Sequence, residues 1–92
     1  MAFLGHFQRR NRGTIEMMAS ILEVCLEGTK KTHILYRANI SSDPLNEYLE
    51  LLVNSGMLEK AELYRTTVKG RIYLEHFKGI LSLLGRKDQD LP

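Results

Sequence analysis

Lys-Thr-His-Ile-Leu-Tyr-Arg-Ala-Asn-Ile-Ser-Ser-Asp-Pro-Leu-Asn-Glu-Tyr-Leu-Glu-Leu-Leu-Val-Asn-Ser-Gly, residues 31–56, is the stretch that decides the fold. Its second half repeats apolar side chains at Leu45, Tyr48, Leu49, Leu52 and Val53, one stripe along a helix. Ser41, Ser42 and Asp43 compete to cap it, and Pro44 fits its first turn. Asn54-Ser55-Gly56 supplies the stop. Asp43, Asn46, Glu47 and Glu50 lie on the opposite face. The first half predicts a shorter helix from Lys30 to Tyr36 or Arg37, with Ile34, Leu35 and Ala38 inward. Between the two, Ala38-Asn39-Ile40-Ser41 leaves room only for a tight turn, and asparagine tolerates the left-handed conformation such a turn needs.

Upstream, Ile15, Met18, Ala19, Ile21, Leu22, Cys25 and Leu26 recur at helical spacing, which predicts a helix from Thr14 to Glu27 with Thr14 as its cap and Gly28 as its end. Downstream, Met57–Lys60 and Leu63–Thr66 read as the two arms of a small hairpin. Thr67 then caps a last helix from Val68 to Leu84 with a wide apolar face: Ile72, Tyr73, Leu74, Phe77, Ile80, Leu81, Leu83 and Leu84. Gly70 is explained by close packing of this helix on the hairpin; Gly79 suits either a bend or the approach of a partner helix. Tyr48 reads as core with its hydroxyl at the edge, while Tyr36 fits core and surface equally.

Helix, helix, turn, helix, hairpin, helix is the order of a winged helix-turn-helix: mainly α with a small β-hairpin and a long C-terminal helix. The chain divides into a basic arm at 1–12, this unit at 13–84 and a polar tail at 85–92. With 92 residues, 43% hydrophobic and 26% charged, it is sized for one modest core and balanced as a soluble globular protein. No run is long enough to span a bilayer. The apolar opening Met1–Phe7 is too short for a secretion signal, and its arginines follow rather than precede it. A single cysteine, Cys25, allows no internal disulfide and fits a reducing, cytoplasmic setting.

Several stretches resemble archaeal winged-helix proteins. Residues 31–41, the Leu-Leu-Val-Asn-Ser-Gly-Met-Leu-Glu run at 51–59, the Tyr-Arg-Thr-Thr-Val-Lys-Gly run at 64–70 and the Arg-Arg-Asn-Arg arm are similar to the small, roughly ten-kilodalton, dimeric DNA-binding proteins of archaea. The likeness covers about residues 8–84. It implies a homodimer on double-stranded DNA, acting as a transcriptional regulator or minor chromatin component, with residues 41–55 as reader helix and 57–66 as wing. It also implies dimerisation through the C-terminal helix, commonly as an antiparallel coiled coil. Tyr73, Phe77, Ile80 and Leu84 step as a coiled-coil seam does, and Leu81 joins them as a candidate interface residue.

Affinity for DNA comes largely from neutralising phosphates. The candidates are Arg9, Arg10 and Arg12 on the arm, Lys30 and Lys31 with the Thr32 hydroxyl at the start of the second helix, and Lys60 and Arg65 on the wing. Ser41, Ser42 and Asn46 are the polar candidates on the reader helix. One departure from the resemblance stands out: related reader helices expose lysine or arginine where this one exposes Asn46 and Glu47. Net charge is +2, but residues 38–63 set Lys60 against Asp43, Glu47, Glu50, Glu59 and Glu62, while both flanks are basic. A rival reading follows, in which an acidic reader face meets a basic protein partner and no longer binds DNA. His6, His33, His76 and Cys25 lack metal-ligand spacing, so no metal and no cofactor is expected. No nucleophile, phosphate-loop or zinc-hydrolase motif suggests an enzyme.

Overall fold

A computed structural model describes residues 13–85. Four helices and one hairpin follow in order: α1 (Thr14–Val24), α2 (Lys31–Arg37), α3 (Ser42–Asn54), β1 (Leu58–Lys60), β2 (Tyr64–Thr66) and α4 (Val68–Leu83). The winged helix-turn-helix architecture is therefore the one observed. The arm with Arg9, Arg10 and Arg12, and tail residues 86–92, lie outside the described residues.

α2 and α3 end where their local chemistry says they should. Asn39 adopts φ +54 after α2. The Asn39 N–H donates to Tyr36 O and the Ile40 N–H to Leu35 O, the paired bonds that close a helix C-terminus. The same pair recurs after α3, where Gly56 N–H donates to Val53 O and Met57 N–H to Leu52 O. Gly56 sits at φ +84, where a side chain would be strained. Two details depart from the sequence reading of α1. Gly13 caps it rather than Thr14, and it stops at Val24, three residues before Glu27. The last turn is lost because Leu26 N–H donates to Glu23 O instead of Leu22 O.

One core joins all the elements. Ile21, Leu22 and Ala19 of α1 meet Ile34 and Ala38 of α2, and Leu45 and Leu52 of α3, all fully buried. Leu58 closes the core from the wing, and Leu74, Phe77 and Leu81 close it from α4. Cys25 is buried among them, and desolvation pushes its thiol up to about 12. The thiol therefore serves as a small apolar filler. Lys78 pairs with Glu23 across α1 and α4 at 3.6 Å, a partly exposed contact worth under ~1 kcal/mol.

α4 is the element whose faces the sequence reading merged. Phe77, placed by spacing in a seam with a partner, and Leu81, a candidate beside that seam, are buried in the protomer's own core. Val68, Ile72, Ile80, Leu83 and Leu84 are exposed instead, Leu83 by 88%. Ile15, expected inward on α1, is also exposed. Tyr73 lies between the two faces of α4, and its hydroxyl donates to Ile15 O at 2.6 Å. Burial, with a smaller contribution from Tyr48, pushes this phenol up to about 12.

Candidate nucleic-acid interface

The surface around α3 is set by what holds that helix. Its C-terminus is stapled to the start of α4. Thr67 Oγ1 donates to Gly56 O at 2.6 Å and accepts from Gly70 N–H at 3.2 Å, while Thr67 N–H donates to Met57 O. Lys69 Nζ donates to Ser55 O at 2.7 Å, a positioning contact that no local sequence signal announces. Gly70 fits beneath because it has no side chain: a Cβ there would lie 2.5 Å from Met57 O and 2.6 Å from Thr66 Cγ2. At the other end, Ser41 caps α3 through its backbone alone, and the side chains of Ser41 and Ser42 face solvent.

The hairpin is larger than its two strands suggest. Leu58 pairs with Thr66, Glu59 with Arg65 and Lys60 with Tyr64. On the other edge of β2, Thr29 and Tyr64 exchange backbone hydrogen bonds, both 2.9 Å. A residue between Gly28 and Lys30 thus acts as a one-residue third strand. It ties the wing to the start of α2, where Lys30 is the cap and Lys31 and Thr32 form the first turn.

Side chains alternate across a strand, so this register sorts the cations. Lys60 and Tyr64 share one face of the wing, with the ammonium 5.6 Å from the ring centroid, within cation–π range. Together with Asn46, Glu50 and Asn54 they line a groove of about 270 Å³ between α3 and the wing. Arg65 lies on the other face, opposite Glu59 and against Gly28. The structure thus brings Lys60 and Asn46 together and sets Arg65 apart from them. Tyr36, 84% exposed near the α2–α3 turn, belongs to the surface. On α3's far edge, Glu47 lines a second groove with Thr14, Pro44, Tyr48 and Leu51. Among the described residues no group of His, Cys, Asp and Glu is arranged to hold a metal, and no helix is long and apolar enough to cross a membrane.

A winged helix-turn-helix family model matches residues 9–84. The chain belongs to the winged helix-turn-helix family. Its structure superposes with a TM-score of 0.71 on Sso10a-2, a DNA-binding protein from Sulfolobus solfataricus. The two are 30% identical, over 80% of this chain and 83% of that one. No curated protein matches it in sequence. Within this winged-helix frame, α3 occupies the reader position and the β1–β2 hairpin is the wing. The family resemblance to archaeal DNA-binding proteins read from the sequence is thereby shown.

Proposed function

We propose that this winged-helix protein binds double-stranded DNA as a homodimer, in the role of a regulator or a small chromatin component. α3 enters the major groove. Lys60, Lys30, Lys31 and Thr32 meet phosphates on its flanks, with the Ser41 and Ser42 hydroxyls at the helix start and Arg9, Arg10 and Arg12 adding contacts from the arm. The observation that carries this reading is the wing–helix groove, which sets a cation on an aromatic ring directly beside the exposed polar edge of α3. Similarity to a DNA-binding protein over most of both chains supports it.

The dimer rests on α4. Five large apolar side chains exposed along one helix exceed what a solitary surface usually carries. With Phe77 and Leu81 committed to the core, the seam runs through Tyr73, His76, Ile80 and Leu83, stepping by three and four residues as paired helices require. Leu84 extends it.

Fluorescence anisotropy on mixed-sequence duplex tests the proposal. Binding is expected at ~50 mM salt, weakening on the order of 10³-fold by ~200 mM if the dimer engages ~6 phosphates. No binding at the lower salt overturns it. A second reading then gains ground, docking of α3 to a basic protein segment. It is favoured by one observation, that Arg65 is paired with Glu59 on the face of the wing turned from α3.

A further inference from the structure

The carboxylate on the wing side of α3 is a puzzle for a DNA-binding surface, and its placement suggests an answer. Asn46, Glu50 and Asn54 follow one another at four-residue intervals along the edge that faces Lys60 and Tyr64. Successive members of that row are about 6 Å apart along the helix. This is close to two base-pair steps at 3.4 Å per step. All three side chains are exposed, so their polar ends are available to a ligand in the groove. Glu47, a turn away from Glu50 on the same exposed face, lines the groove on the α1 side instead.

Resting on the DNA-binding reading, we infer that the wing-side edge of α3 is a base-reading edge, in which Asn46 selects adenine and Glu50 selects cytosine about two steps away. An ionised carboxylate only accepts hydrogen bonds and is repelled by phosphate, so it adds nothing to sequence-independent affinity. What offsets that repulsion is a donor on a base edge. The major groove presents two, the cytosine N4 amine and the adenine N6 amine. The adenine amine sits beside the N7 acceptor, which opposes a carboxylate; the cytosine amine has no such neighbour. Asn46, with both a donor and an acceptor, matches the adenine N6/N7 pair. Lys60, held over the Tyr64 ring on the facing bank, supplies the nearby positive charge that lets a carboxylate approach a polyanion. Glu50 is thus a filter: it penalises every sequence and relieves the penalty only at the right base.

Selection from a randomised duplex library of about two helical turns, ~20 base pairs, tests this. Wild type should enrich an adenine and a cytosine about two steps apart in each half-site. It should bind the enriched duplex roughly tenfold more tightly than one with thymine in place of that cytosine, because thymine O4 is an acceptor. Glu50→Ala should collapse that ratio towards unity while tightening binding to unselected DNA. Glu50→Gln should transfer the preference to adenine, and Asn46→Ala should erase the adenine preference. Glu47→Ala should tighten binding to all duplexes alike and leave the ratio intact. All three positions are solvent-exposed, and circular dichroism confirms that each of the four variants is folded. The inference is overturned if binding occurs without enriched positions, or if Glu50→Ala and Asn46→Ala keep the wild-type ratios; DNA binding itself then survives. No binding to any duplex at ~50 mM salt removes both.

Discussion

Thr66→Val isolates the hydrogen bond that replaces the missing last turn of α1. In a longer helix Leu22 O would accept from Leu26 N–H, but that donor turns to Glu23 O. Thr66 Oγ1 donates to Leu22 O instead, at 2.7 Å, from a side chain only 4% exposed. Valine keeps the shape and the β-branch and removes the donor, so the carbonyl is left buried without this partner. An unsatisfied buried polar group costs about 1–3 kcal/mol. The methyl that replaces the hydroxyl returns up to ~0.8 kcal/mol of burial. The net loss is therefore on the order of 1 kcal/mol, which in a domain of this size lowers Tm by about 4–8 °C. Thermal and urea unfolding followed by circular dichroism measures it, at matched chain concentration because the proposed dimer would add to apparent stability. The backbone bond from Thr66 N–H to Cys25 O persists in the variant, so the wing stays paired to the end of α1. A Thr66→Val protein as stable as wild type, or more so, would refute the account of how α1 is terminated.

The two glycines of α4 should respond in opposite directions. Gly70→Ala drives a Cβ against Met57 O and should cost ~2–3 kcal/mol, whereas Gly79→Ala, with nothing within 4 Å, should gain up to ~1 kcal/mol of helix propensity, both read from Tm. Alkaline pH should destabilise the fold through Cys25. Its thiol ionises at 9.0 when exposed and is pushed up to about 12 by burial, so above pH ~9 the unfolded chain releases the proton first and stability falls as pH rises. Cys25→Ala should make that fall shallower in urea titrations, and the native thiol should resist thiol reagents at neutral pH until the chain unfolds. Ile80→Glu should dissociate the proposed dimer without unfolding the protomer, since Ile80 is exposed; sedimentation at micromolar concentration reads the change. If Lys30, Lys31 and Lys60 are the phosphate contacts, a dimer presents six and the slope of log affinity against log salt is about −5. A slope near −11 assigns Arg9, Arg10 and Arg12 to the interface as well.

Element order was legible in this sequence because each boundary is written in its own residues. Asn39 sits where a left-handed residue is needed, Gly56 does the same after α3, and Thr67 caps α4 with its side chain. Gly70 was legible too, since a glycine inside a good helix demands a close neighbour and the wing was the nearest candidate. The faces of α4 were not. Leu74, Phe77 and Leu81 point to the core while Ile72, Ile80 and Leu83 point away, yet all six are large and apolar. Periodicity finds an apolar stripe only when the remaining faces are polar. A helix apolar on two sides gives no clue to which side the chain itself covers. The Thr29–Tyr64 bridge and the Lys69–Ser55 contact were hidden for another reason: each joins residues far apart in sequence through a single residue, with no pattern to detect.

Charge was the feature most easily misread, and strand geometry explains why. Counted along the chain, Lys60 and Arg65 look like one cationic wing opposing an acidic middle segment. The register separates them, because Lys60 pairs with Tyr64 on the α3 side and Arg65 pairs with Glu59 on the other. The acidic excess divides the same way. Glu59, Glu62 and Arg65 share the outer pocket of the wing, so these carboxylates oppose Arg65 rather than a duplex at α3. What remains at the reader helix is Asp43, Glu47 and Glu50 against Lys60, and the edges divide even these, with Glu47 on the α1 side and Glu50 on the wing side. A surface so arranged is poor at holding DNA indiscriminately, because its own helix supplies repulsion and the cations stand beside it. Indiscriminate binding would be served better by lysines on α3 itself. The placement of one carboxylate opposite the one cation that the wing holds over an aromatic ring therefore argues for selectivity at the expense of affinity, and against a surface evolved only for tight coating.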